Sequence, residues 1–187
     1  MVTMADYKDL IGDDFTAEEF EKFCKFMHST DNAKYGFARA RALGYDIEGL
    51  SIAPGVIIAP NPRMRIGKFV RISQYTYVSG ATKIGDHVLI GPNCSIAGGN
   101  HKFNAEKGWF ADRSEKDMLE TSIEIGGGSW LCSNVVVVAG VKIGKCNLIC
   151  AGAVVTKDTE DYAIMAGVPA KKIGYIDKET GEYIYGK

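Results

Sequence analysis

Histidine is scarce in this chain, with three among 187 residues. That leaves little room for a metal site built from imidazoles, and no metal requirement is expected. The five cysteines are odd in number and form no CxxC pair. A disulfide framework is therefore not expected, and a reducing, cytoplasmic location is. Neither sign of charge is in excess: 22 Lys plus Arg stand against 23 Asp plus Glu, for a formal net charge of −1. Such a chain exerts no general pull on a polyphosphate, which argues against nucleic acid as its main partner. No apolar run approaches the roughly 18 residues that span a bilayer, so membrane insertion is not expected. The first six residues, Met1 to Asp6, carry no basic-then-apolar leader. The length suits one domain with its own core. Glycine is the residue in surplus, at 22 where a usual share is ~7%. The backbone must turn often.

The first fifty residues read as helical. Thr16 followed by Glu19 fits a capping box, and Phe15 with Phe20 the matching hydrophobic staple. Phe20, Phe23, Cys24 and Met27 recur at helical spacing. A second helix is expected from about Asp31 to Leu43, with Phe37, Ala40 and Leu43 sharing a face. Gly44 sits where a helix C-cap glycine belongs. Residues 1–50 are thus expected to form a helical cap over one end of the remaining chain.

From Ile66 onward the pattern changes. Ile66, Ile72, Val78, Ile84, Ile90 and Ile96 are spaced by six, and so are Ile125, Leu131, Val137, Ile143, Ile149 and Val155. All twelve are aliphatic. The next residue is usually small, as in Gly67, Gly85, Gly91, Gly126 and Gly144, and the one four after is often small or β-branched. A six-residue unit cannot bury its own side chain and does so only by stacking on copies of itself. One short strand and one tight turn per unit, three units per coil, makes a triangular parallel β-helix. Residues eighteen apart then lie one above another at a rise of roughly 4.8 Å. The small residues fit corners where a Cβ would crowd. An earlier, less regular series at Ile52 and Ile58 starts the solenoid near residue 50, giving a β-helix domain over residues 51–173.

The spacing from Ile96 to Ile125 is 29, not a multiple of six. Residues 98–122 carry Trp109, Phe110 and nine charged residues, so this segment is expected as a protruding, ordered loop. The tail, residues 174–187, alternates charged residues with Ile176, Tyr183, Ile184 and Tyr185, and the pattern leaves open whether it packs on the solenoid.

With these residues in view, the chain resembles the hexapeptide-repeat acyltransferases, and within them the maltose and galactoside O-acetyltransferases. The likeness rests on Ile84-Gly85-Asp86, Ile90-Gly91-Pro92-Asn93 and the loop with His101. It continues through Ile125-Gly126 with Trp130, Val154-Val155-Thr156-Lys157-Asp158 and Ala166-Gly167-Val168-Pro169-Ala170-Lys171. The resemblance covers roughly residues 50–175. It implies a left-handed parallel β-helix, acetyl-CoA as donor, and a homotrimer with active sites between subunits. It places donor contacts on Ser133, Ala151, Thr156, Lys157 and Lys171, and the positions of its polar sugar contacts fall on Arg71 and Ser79, where Asn and Asp are expected. His101 is followed by Lys102 where the family commonly has proline.

Acyl transfer from a thioester needs a base, a stabilised oxyanion and a held donor. Imidazole suits the first role because its unperturbed pKa of about 6.5 lies near working pH. His101 stands where the coil breaks and is assigned as general base, with Glu106, Asp112 and Glu115 as candidates to orient its ring. His87 and His28 read as surface residues. Ser133 and Ala151 are small enough for close approach of a pantetheine arm, and Lys157 and Lys171 supply point charges for phosphates. Trp130 follows an outward alternation and would wall the thioester end. Cys94, Cys132, Cys146 and Cys150 fall on coils and read as structural. Acetylation of a hydroxyl on a sugar or similar small acceptor is the expected function. N-acetylation of an amino sugar or a nucleotide-linked amino sugar is the main alternative, and a non-catalytic or metal-binding β-helix a distant one.

Overall fold

The computed structural model of the protein describes residues 16–28, 33–59, 61–111 and 121–186. It is a parallel β-helix fronted by two helices, α1 (Ala17–His28) and α2 (Ala33–Ala42). The capping box is present: the Thr16 N–H donates to Glu19 Oε2 at 2.9 Å, and the Glu19 N–H to Thr16 Oγ1 at 3.2 Å. The Thr16 N–H, together with the Thr16 hydroxyl that donates to the same Oε2 at 2.7 Å, holds the Glu19 carboxyl below its ordinary range. The staple lies outside the described residues, since Phe15 and the Phe20 side chain are not among them. At the other end α2 closes in a Schellman pattern: Tyr45 N–H to Ala40 O and Gly44 N–H to Arg41 O, each 2.9 Å, with Gly44 at φ 85°.

The buried face of α2 is not the expected one. Ala40 is buried, but Phe37 and Leu43 are exposed, and the inward stripe is Gly36, Arg39 and Ala40. Close docking on the first coil decides this. A Cβ on Gly36 would run into Ser51 Oγ. Arg39 reaches past it to donate to Ile52 O at 3.2 Å and to Phe26 O at 2.8 Å. Two carbonyls thus outweigh an apolar face.

The solenoid has three faces. Sheet I holds β1 (Ser51–Ile52), β4 (Arg71–Ile72), β7 (Leu89–Ile90), β12 (Trp130–Leu131), β15 (Leu148–Ile149) and β17 (Ala163–Ala166), all parallel. Sheet II holds β2 (Ile57–Ile58), β5 (Tyr77–Ser79), β8 (Ser95–Ala97), β13 (Val136–Val137) and β16 (Val154–Val155). Sheet III holds β3 (Arg65–Ile66), β6 (Lys83–Ile84), β11 (Glu124–Ile125) and β14 (Lys142–Ile143). Of the twelve aliphatic positions, eleven are buried, and Ile66, on the end strand of sheet III, is half-buried. Inward hydroxyls are satisfied within the core: Thr76 Oγ1 donates to Gly91 O and Ser129 Oγ to Gly144 O, both 2.9 Å.

The glycine after the aliphatic residue is there for close approach. A Cβ on Gly126 would sit 2.5 Å from Gly144 C, and one on Gly144 2.6 Å from Glu160 C, each in the backbone of the next coil. The left-handed corner comes two residues later. Phe69, Tyr75, His87, Asn93, Asn134 and Cys146 all lie at φ between 53° and 60°. Phe69 and His87, one coil apart, stack with ring centroids 4.9 Å apart.

The departure between β8 and β11 begins as an antiparallel hairpin of β9 (Lys102–Asn104) and β10 (Trp109–Ala111). Its Phe103 and Phe110 meet edge to face at 5.5 Å and remain exposed, so the aromatics pack on each other. After β17 the chain reverses into β18 (Lys171–Ile176) and β19 (Tyr183–Tyr185), which extend sheet I antiparallel.

Candidate functional site

The expected donor residues come from four elements that meet at the last two coils. Ser133 sits in the turn between β12 and β13, at the corner of sheets I and II, and Ala151 lies one coil above. The Gly152 N–H donates to the Ser133 carbonyl at 3.0 Å, and the Asn134 N–H to the Pro92 carbonyl at 2.9 Å. This corner is a ladder of left-handed turns at Asn93, Asn134 and Gly152. It presents small side chains and little else, which suits an extended chain lying along it.

Thr156 and Lys157 follow β16 and are exposed. They are held from behind, because the next residues are tied down: Asp158 Oδ1 accepts from the Lys142 N–H at 2.8 Å and Thr159 Oγ1 from the Gly144 N–H at 3.0 Å. Lys171 arrives from a different direction. Residues 166–171 fold over β16, with the Val154 N–H donating to Gly167 O at 3.1 Å and the Ala170 N–H to Val154 O at 2.8 Å. Lys157 thus follows the last strand of sheet II, and Lys171 follows the segment bonded to the first residue of that strand, Val154, and pairs with Ala166.

Trp130 lies on sheet I, three residues before Ser133. It opposes Leu89 below and Leu148 above and is 45% exposed. His101 leaves the other corner of sheet II, just past β8, and is exposed. The chain thus carries Ser133 and Ala151 at the corner of sheets I and II and His101 at the corner of sheets II and III, where Thr156 and Lys157 also leave sheet II two strands above it. One chain does not bring Trp130 and His101 onto one face.

Of the three carboxylates considered for the ring of His101, Asp112 and Glu115 lie outside the described residues. Glu106 is in the turn at the tip of the β9–β10 hairpin, three residue pairs from its base, or roughly 10 Å at the rise of a strand. The hairpin thus holds Glu106 away from the histidine of its own chain.

The thiols can be assigned more closely. Burial pushes the thiols of Cys94, Cys132 and Cys150 above their ordinary range, and Cys94 Sγ is engaged with Cys132 O at 3.1 Å. A protonated thiol is a poor nucleophile, so these three are unsuited to a covalent route. Among the described residues no group of three His, Cys, Asp or Glu side chains is arranged to hold a metal, and no helix is long and apolar enough to cross a membrane.

Reading by sequence did not find the corner residues three after each aliphatic position. The signal was present in Asn93, Gly128, Asn134, Gly140 and Gly152, residue types that tolerate a left-handed backbone.

Comparison with known proteins now decides the family. The family model described as bacterial transferase hexapeptide (six repeats) matches residues 63–98. The galactoside O-acetyltransferase of Escherichia coli K12 is 33% identical over 140 residues, 74% of this chain and 66% of that enzyme. The chain belongs to the hexapeptide-repeat acyltransferases. A second member, the galactoside O-acetyltransferase of Lactococcus lactis, is 34% identical over 108 residues, 56% of this chain and 48% of that one. The chain therefore spans between about half and about two thirds of these relatives. A galactoside acetyltransferase solved in complex with coenzyme A shares the fold of this hexapeptide-repeat chain, with a TM-score of 0.67 at 24% identity. The match covers 100% of this chain and 97% of that one.

Proposed function

We propose that the protein transfers an acetyl group from acetyl-CoA to a hydroxyl of a sugar or similar small acceptor, with His101 as general base. The 33% identity to a galactoside O-acetyltransferase carries this reading. It is supported by a histidine standing at the one break of the regular six-residue series.

In the proposed reaction one nitrogen of the His101 ring accepts the acceptor's hydroxyl proton as the oxygen attacks the thioester carbonyl. The tetrahedral intermediate collapses, the carbon–sulfur bond breaks, and the proton passes on to the departing coenzyme A thiolate. Attack is direct, which accords with the raised thiols of Cys94, Cys132 and Cys150.

Coenzyme A lies along the corner marked by Ser133 and Ala151, with Trp130 at its thioester end. Its phosphates meet Thr156, Lys157 and Lys171. Because Trp130 and His101 project from different faces of one chain, the histidine serving a given donor comes from a neighbouring subunit, and the working unit is a homotrimer. The exposed Ile57 and Tyr77 on the lower coils of sheet II, with Tyr75 at the corner before β5, give such an assembly apolar surface to cover.

The test is acetyl-CoA consumption against neutral sugars, amino sugars and nucleotide-linked sugars, alongside sedimentation of the free enzyme. Ester formation by a trimer is expected. Amide formation alone moves the function to N-acetylation, and a fully active monomer removes the shared site. Lys157→Ala is expected to raise the apparent Michaelis constant for acetyl-CoA about two- to fivefold with turnover nearly unchanged, in line with the modest worth of an exposed ion pair. A fall in turnover without that rise would take Lys157 out of donor binding.

A further inference from the structure

The outward positions of sheet I form one column: Ser51, Arg71, Leu89, Trp130, Leu148 and Ile164. The upper two are buried, at 7% and 0% exposure, whereas Leu89 and Trp130 stand 42% and 45% exposed. The open part of the face is therefore an apolar floor with a single charge at its lower end. That charge is unmatched. Arg71 is exposed, its strand neighbours are Ser51 and Leu89, and its guanidinium has no ion-pair or hydrogen-bond partner among the described residues. On sheet III, by contrast, the outward Lys83 meets Glu124 at 2.9 Å, and Arg65 donates to the carbonyls of Pro62 and Met64.

If the thioester ends at Trp130, as proposed above, the column is closed above it by buried Leu148 and open below it. An acceptor that meets the acetyl group there extends downward over Leu89 toward Arg71. Two strand spacings separate Arg71 from Trp130, roughly 10 Å. A guanidinium at that remove is placed to meet a substituent on the ring whose hydroxyl is being acetylated. Its planar fork binds carboxylate or phosphate in paired hydrogen bonds and gains little from a neutral hydroxyl.

We infer that Arg71 selects acceptors bearing an anionic group, a carboxylate or a phosphate, over neutral ones. The inference rests on the donor placement proposed for this site.

The experiment measures kcat/KM for glucose, glucuronate and glucose 6-phosphate with the wild-type protein, Arg71→Gln and Arg71→Glu. The wild type is expected to prefer at least one charged acceptor over glucose by about tenfold or more, the scale of a charge-assisted hydrogen bond. The two charged arms separate carboxylate from phosphate. Arg71→Gln brings the ratio toward one, and Arg71→Glu brings it below one. A wild-type ratio of one, or a ratio that Arg71→Gln leaves unchanged, overturns the inference. Should none of the three be acetylated, calorimetric binding of glucuronate and glucose 6-phosphate to the coenzyme A complex decides. Binding that Arg71→Gln abolishes supports it, and binding that is absent or indifferent to the substitution overturns it. Acetyl-CoA affinity, measured in the same protein, separates the two proposals: its absence strikes the donor placement rather than the choice of acceptor.

Discussion

His101→Ala is expected to lower turnover by roughly 10²–10⁴-fold, the usual worth of a general base, while the dissociation constant for acetyl-CoA stays within about twofold of wild type. The two halves of that result have separate physical causes. His101 stands on a segment outside the ladder of stacked strands, exposed, with the hydrophobic column beneath it intact. Removing its ring leaves the corner at Ser133 and Ala151 and the lysines beyond it in place, so donor binding persists. What is lost is the acceptor for the hydroxyl proton, and added imidazole should restore part of the rate. A covalent route predicts something else: a burst of acetylated protein that survives in His101→Ala and disappears on substitution of a cysteine. The raised thiols of Cys132 and Cys150 argue for no burst. Unchanged turnover in His101→Ala would remove the histidine from the mechanism and leave the base unassigned.

The solenoid was legible because its repeat is enforced by stacking. A side chain at Ile90 must match those of Ile72 below and Leu131 above, so one coil's requirement is copied into the next and the spacing shows in the sequence. The same eighteen-residue logic makes Ser133 and Ala151 neighbours on paper. It fails where the chain stops repeating. Nothing periodic brings Lys171 to β16, because the chain reverses after β17. The inward face of α2 departs from its hydrophobic pattern for a related reason. Hydrophobicity alone favours Phe37, but the helix approaches the first coil too closely for a side chain at Gly36 and is held there by carbonyls that Arg39 reaches. The hairpin of β9 and β10 carries no period at all, since its partner strand is local and its aromatics meet one another.

The stacking argument also fixes where the fold is most easily broken. Leu131 is fully buried, paired in register with Ile90 on one side and Ile149 on the other. Leu131→Ala opens a void in the middle of the column, and rigid coils above and below cannot both collapse into it. The loss expected is about 3–5 kcal/mol, the upper part of the range for a buried leucine. In a quasi-one-dimensional stack each coil touches only its neighbours, so this one substitution weakens two interfaces. Ile66→Ala removes a side chain of similar volume from β3, the end strand of sheet III, where Ile84 is its one register partner and the residue is half-buried. About 1–2 kcal/mol is expected there, since half the transfer free energy was never gained and one interface is affected. Urea unfolding of both variants at one protein concentration, with midpoints compared at unchanged slope, measures the contrast. Equal losses at the two positions would mean that the chain unfolds as a body without nearest-neighbour character, and that the eighteen-residue ladder does not carry its stability.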